Sequence, residues 1–248
     1  MSSTRTSPSS LVSSSHLRHA QDAAGAAPTA RELQEFAEFC KLLAAERPPF
    51  FRALASDALT FAYHRGELDR VQSKLGRWLY FFRLPFAASE FFALGLYRLR
   101  VVFRAWHIPI FPSLINWVCA IGWDFRVGDS VTIDEGVYLP HGQVDIEGLT
   151  YIGKGCFLAP FVGIGLVQGD VRGPRLEGYV FVGTGSKILG RRTIGHGATI
   201  GANAVVLSDV PAWATAVGVP ARIIPRLSGQ AEDQPPPSEP EETACPPS

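Results

Sequence analysis

The 248 residues carry 23 Lys and Arg against 23 Asp and Glu, a formal net charge of zero. That balance argues against a general nucleic-acid surface, and the length suits one large domain or two modest ones with a substantial core. The four cysteines, Cys40, Cys119, Cys156 and Cys245, have no CxxC spacing, so they form neither a zinc pattern nor a disulfide framework and fit free thiols in a reducing cytoplasm.

Residues 1–28 are rich in Ser, Thr, Ala and Pro and lack the apolar core and cleavage site of a secretory signal. They are expected to be disordered. A helical region then runs over 29–122. Thr29 followed by Glu32 is a capping box, and Leu33, Phe36, Ala37, Cys40, Leu43 and Ala44 fall on one helical face. Pro48 and Pro49 end that helix or open the next. Phe50–Arg65 is expected as the second helix, with Gly66 at its C-terminal cap. Val71–Phe82 is a third, interrupted by Pro85.

Phe86–Trp106 is a strongly apolar helix, nearly encircled by Phe91, Phe92, Leu94, Leu96, Tyr97 and Leu99. Such a helix is expected to be buried, often between subunits. Arg98, Arg100 and Arg104 stand near its C-terminal end, where cations complement the helix dipole. Residues 105–123 lack Asp, Glu, Lys and Arg and are about long enough to cross a bilayer. Pro109 and Pro112 would break a lone helix there, so a buried helix-turn-helix ending in a short helix Leu114–Gly122 is expected, with no integral membrane segment.

From Val127 the chain keeps a beat of six. Aliphatic residues open successive units at Val127, Ile133 and Leu139, then after a one-residue slip at Ile146, Ile152, Leu158 and Ile164. The beat breaks and resumes at Leu176, Val182, Ile188, Ile194, Ile200 and Val206, with Gly often second or fourth. A fixed six-residue period is a signature of a parallel β-helix. The stacked aliphatic residues would form one inward column. Beyond Val206 the segment through Pro220-Ala-Arg suits an end cap, and the Pro- and Glu-rich tail 226–248 is expected to be disordered.

The units around Ile188-Leu-Gly and Ile200-Gly-Ala-Asn-Ala-Val, with Asp209-Val-Pro and Val217-Gly-Val-Pro-Ala-Arg, resemble the hexapeptide-repeat acyltransferases. Leu139-Pro-His-Gly, the Gly169-Asp-Val-Arg-Gly-Pro loop and the preceding helices make the chain most like the serine O-acetyltransferases within that group. The resemblance implies an α+β chain: a helical region, then a left-handed parallel β-helix over 123–225 with three hexads per coil. It also implies a cytoplasmic homotrimer or dimer of trimers, with acetyl-CoA as co-substrate between neighbouring β-helices and a small-molecule hydroxyl as acceptor. No metal and no nucleic acid enter that reaction.

A hydroxyl is a poor nucleophile until its proton is removed, and His suits that task near neutral pH. His141 is the candidate base, with Asp145 or Glu147 available to orient it. His196 sits in an ordinary Gly-His-Gly turn, and two histidines in the repeats fall short of the three or so of a zinc site. Where the beat breaks, Asp170 and Arg172 are candidate acceptor-binding residues, Arg172 through a paired hydrogen bond to a carboxylate. Gly173 stands where the family has its second active-site His, and Pro140 where many members have Asp. For acetyl-CoA the candidates are Gly163, Gly183, Ser186, Gly201, Ala204 and Arg222, with Lys187 and Arg191 near the phosphates. Backbone amides near Gly163 and Gly183 are candidate oxyanion donors. A sugar or exopolysaccharide acceptor, or a β-helix scaffold without turnover, are the alternatives.

Overall fold

A computed structural model describes residues 45–108 and 110–226. The N-terminal segment, the capping-box helix from Thr29, Cys40, Pro109, Cys245 and the tail beyond Arg226 lie outside the described residues.

Four helices come first. Helix α1 (Phe50–His64) opens directly after Pro49, whose carbonyl accepts from the Ala53 amide at 2.9 Å. It ends at Arg65, and Gly66 follows at φ +67°, a backbone that glycine adopts without the Cβ penalty. After a 3₁₀ turn (Leu68–Val71), helix α2 (Lys74–Ala87) is capped by Ser73 Oγ, which accepts from the Gly76 amide at 2.9 Å. Pro85 does not interrupt it. It stands in the last turn, where its missing N–H costs one bond, and the chain leaves the helix at Ala88. Helix α3 (Ser89–Ala105) turns away from α2 by 101°. Helix α4 (Ile110–Trp123) starts earlier than its apolar run predicts, because Pro112 sits in its first turn, where no intrahelical donor is required.

The β-helix follows as fourteen short strands. Strands β1 (Phe125–Val127), β3 (Val144–Ile146), β6 (Val162–Gly165), β9 (Lys187–Leu189) and β12 (Val205–Val206) stack as the first face. The second face is β2 (Thr132–Ile133), β4 (Tyr151–Ile152), β7 (Arg175–Leu176) and β10 (Thr193–Ile194). The third is β5 (Phe157–Leu158), β8 (Phe181–Val182), β11 (Thr199–Ile200), β13 (Thr215–Val217) and β14 (Arg222–Ile224). All pairings are parallel except β13 with β14, the antiparallel hairpin that closes the far end.

The beat of six sets this shape. Each face takes one hexad, so every opening aliphatic residue points inward. Val127, Ile133, Leu139, Ile146, Ile152, Leu158, Ile164, Leu176, Val182, Ile188, Ile194, Ile200 and Val206 are each 3% exposed or less. Each such burial stabilises by about 2 kcal/mol relative to exposure. The corners take the strain. A Cβ at Gly155 would stand 2.6 Å from the Tyr179 ring of the next coil, and Asn203 holds φ +56°.

Arg98 and Arg100 do not serve the helix dipole. Both are buried and reach from α3 into the first coil. Arg98 Nε and Nη2 donate to the Asp57 carboxylate of α1 at 3.1 and 3.2 Å, and its Nη1 and Nη2 donate to the Ile133 and Asp134 carbonyls. Asp57 also accepts from the Gly136 amide at 2.8 Å. Burial pushes the Asp57 carboxyl up, and the Arg98 charge opposes that rise. Arg100 Nη2 donates to the Val127 carbonyl at 2.7 Å, and its Nη1 to Asn116 Oδ1 of α4 at 2.6 Å. Two guanidinium groups thus tie three helices to the first coil.

Arg98→Met leaves Asp57 buried without its counter-charge. The expected loss is about 3–5 kcal/mol in urea denaturation. An Asp57→Asn/Arg98→Met double variant should lose less than the two single losses added together.

Candidate active site

Each coil turns from the third face to the first through a corner. His141 lies on the first of these, between Tyr138, which bridges to Phe157 of the third face, and β3 of the first. Leu139 points into the column and is 1% exposed, Pro140 stiffens the turn, and His141 faces out. Gly142 follows at φ +76°, where an added Cβ would stand 3.4 Å from Trp123 Cβ and 3.8 Å from Glu90 Cβ. The corner is therefore seated against the end of α4 and the start of α3. Among the described residues, the His141 imidazole takes part in no hydrogen bond or ion pair, and neither Asp145 nor Glu147 holds it.

Beside this corner a groove runs over the first face, lined by Asp124, Arg126, Gln143, Asp145, Phe161 and Lys187 among others. Strand register puts Arg126, Asp145, Gly163 and Lys187 in one outward row. Arg126 pairs with Asp124 at 2.9 Å. Lys187 Nζ donates to the Phe161 carbonyl at 2.7 Å, and its stem lies across Gly163, where a Cβ would stand 2.7 Å from Lys187 Cδ. Phe161 holds φ +63° with its ring 56% exposed, an unusual backbone for an aromatic residue. Arg126, Gln143 and Phe161 escaped sequence reasoning because their grouping depends on register between coils. The Leu139-Pro-His-Gly motif and the slip of the beat at 140–146 pointed to the corner, but not to these three residues.

The other candidates are distributed more widely. Ser186 and Ala204 are fully buried, so their side chains face the interior and only their backbone borders the corner. Gly183 is packed under the next coil: a Cβ would stand 2.7 Å from the Ala202 amide nitrogen. The Gly163 amide already donates to the Ser186 carbonyl at 3.0 Å, and the Gly183 amide to the Ile200 carbonyl at 2.8 Å. Those two N–H groups are committed to the coil ladder and do not form an oxyanion hole. Gly201 lies beneath Val217, and Arg222 is exposed on β14 in the closing hairpin, with Lys187 and Arg191 also exposed.

Asp170 and Arg172 sit at a different corner. The break in the beat is the connection from β6 on the first face to β7 on the second. It turns tightly where Val167 bridges Asp170 and Gly169 takes φ +88°. Asp170 Oδ1 accepts from both the Arg172 amide, at 2.9 Å, and its Nε, at 3.1 Å. At Gly173 an added Cβ would stand 2.0 Å from Thr150 Oγ1, which donates to the Glu147 carbonyl at 2.6 Å. The loop closes on the second-face coil there, leaving no room for a side chain at 173. One chain therefore holds His141 and the Asp170–Arg172 pair on separate corners.

Cys156 is fully buried, and its Sγ donates to the Glu177 carbonyl at 3.1 Å. Burial pushes its thiol up to about 12, so it carries no thiolate for nucleophilic attack at neutral pH. Among the described residues no group of three His, Cys, Asp or Glu is placed to hold a metal ion.

No family model matches the chain. The serine acetyltransferase of Synechococcus elongatus is 34% identical over 122 residues, which is 48% of this chain and 50% of that protein. A solved serine acetyltransferase in complex with cysteine superposes with a TM-score of 0.61 at 25% identity, over 76% of this chain and 75% of that one. A second, in complex with CoA, gives 0.59 at 25% identity over 83% and 81%. The chain is a left-handed hexapeptide-repeat β-helix protein, most like the serine acetyltransferases. Its match spans about half the length of the curated relatives.

Gly173→Ala should destabilise the loop by about 1–3 kcal/mol through the Thr150 contact. Adding Thr150→Ala should restore part of that in thermal unfolding, and equal melting of single and double variants would remove Thr150 as the cause.

Proposed function

We propose that this chain is an acetyl-CoA-dependent O-acetyltransferase with a His general base, acting on the hydroxyl of L-serine. One observation carries the reading: an outward, unpaired histidine at a β-helix corner, beside a polar groove, in a chain most like serine acetyltransferases. The imidazole of His141 takes the acceptor proton as the C–O bond forms at the thioester carbonyl. The tetrahedral intermediate then loses CoA as the C–S bond breaks, and the imidazolium returns the proton to the leaving sulfur. Transfer is direct, in agreement with the protonated, inaccessible Cys156 thiol.

The donor is held by exposed cations on the later coils, Lys187, Arg191 and Arg222, which suit phosphate groups. Backbone at Gly163, Gly183, Ser186, Gly201 and Ala204 borders the same corners and offers little bulk to a pantetheine arm. The acceptor is oriented by Asp170 and Arg172 of a neighbouring copy. The separation of that pair from His141 within one chain supports a site completed between copies, as in a trimer. The chemistry draws on acetyl-CoA, which fits a cytoplasmic setting.

A sugar hydroxyl is the second reading. The observation favouring it is Gly173, closed against Thr150 where a second histidine of the serine acetyltransferase pattern would stand.

His141→Ala should lower CoA release from acetyl-CoA and L-serine by about 10²–10⁴-fold, followed by a thiol reagent, with the melting temperature unchanged. Turnover near that of the parent would remove His141 as the base. Transfer to a sugar panel, with none to L-serine, would select the second reading.

A further inference from the structure

Two helices present apolar stripes that no other described residue covers. On α2, Leu75, Trp78, Leu79, Phe82 and Phe86 are 63–93% exposed. At about 3.6 residues per turn they share one stripe roughly 100° wide, opposite the buried Tyr80 and Leu84. On α4, Ile110, Leu114, Trp117 and Ile121 form a second stripe, 51–74% exposed, opposite the buried Pro112, Ile115 and Cys119. Isolated exposed apolar residues need no explanation, but two full-length stripes bearing Trp and Phe do.

Charge indicates what covers them. The chain is neutral overall, yet residues 45–123 carry ten Lys and Arg against five Asp and Glu. Asp57 is spent on Arg98 and Glu67 faces Arg65, Arg70 and Arg83, while Arg98 and Arg100 are buried and Arg52 and Arg104 pair with Glu135 and Asp129 of the β-helix, so the exposed excess rests on α2. Lys74 and Arg83 flank the α2 stripe on opposite sides, where long stems let their heads reach past an apolar boundary. On α2, Trp, Phe and Leu on one face bordered by cations is the composition of a helix lying in a lipid headgroup layer; α4 carries no charge and adds apolar surface alone.

Neither helix crosses a bilayer by itself. At about 1.5 Å per residue, α2 and α4 are each roughly 21 Å long, against roughly 30 Å of hydrocarbon. No single described helix is long and apolar enough to cross, and α3 is held to the first coil by Arg98 and Arg100.

We propose that α2 and α4 form a peripheral docking surface for an anionic lipid bilayer, lying on it with their Trp- and Phe-bearing stripes in the headgroup layer. The inference is independent of the acetyl-transfer reading.

The full-length chain is sedimented with phosphatidylcholine vesicles, with and without equimolar phosphatidylglycerol, and its tryptophan emission is recorded. The expected result is binding to the anionic vesicles at least about tenfold stronger than to the neutral ones, weakened by salt, with a blue shift. Trp78→Glu/Phe82→Glu and Trp117→Glu/Ile121→Glu should each reduce binding by about tenfold or more without altering melting, because all four side chains are exposed. Lys74→Gln/Arg83→Gln should weaken binding a few-fold and flatten its salt dependence. A parent protein that stays in the supernatant with both vesicles overturns the proposal. So does binding that both apolar double variants retain, or apolar variants that only dissociate an oligomer in sedimentation velocity, which would assign the stripes to contacts between copies.

Discussion

The inward aliphatic column governs this molecule. A hexad is too short to bury anything alone, so each coil depends on the coil below for both its apolar contacts and its backbone partners. With two side chains of most hexads committed to the interior and the amides of each face committed to the next coil, little on a face is free to act. Chemistry is left to the corners and to insertions between faces. His141 occupies a corner, and the Asp170–Arg172 pair occupies an insertion.

The helices extend this constraint rather than forming a separate unit. The first coil has no coil before it, and α1, α3 and α4 cover its open end. The cover is held by Arg98 and Arg100, which donate to carbonyls of the first coil. The same packing seats Trp123 and Glu90 against Gly142, one residue from His141. The position of the candidate base is therefore linked to the helical cover as well as to the β-helix.

Much of this could be read in the chain. The beat named the inward residue that opens each hexad from Val127 to Val206, but not the second buried phase two residues before it, where Val131, Val137, Cys156, Val180, Ser186, Ala198 and Ala204 also face the core. The slip at 140–146 and the break at 165–175 marked the corner and the insertion. The roles of Arg98 and Arg100 stayed hidden, since a cation near a helix end looks the same whether it serves the dipole or a distant carbonyl. Pro85 misled because a proline's effect depends on its place in the helix, and in the last turn it is tolerated. The groove of Arg126, Gln143 and Phe161 joins three coils, and only register brings those residues together. The amides of Gly163 and Gly183 were free in the sequence and are occupied in the fold.

The site proposed for this chain is completed between copies, with His141 from one and the Asp170–Arg172 loop from the next. The direct measurement is CoA release by mixed oligomers of His141→Ala and Arg172→Ala chains, co-expressed and purified through two different tags. Each variant alone should be nearly inactive, and mixed trimers should regain activity at about one site in three, the one that draws both parent residues from neighbouring copies. Mixed oligomers no more active than the separate variants, or an Arg172→Ala variant that is fully active alone, would contradict the claim.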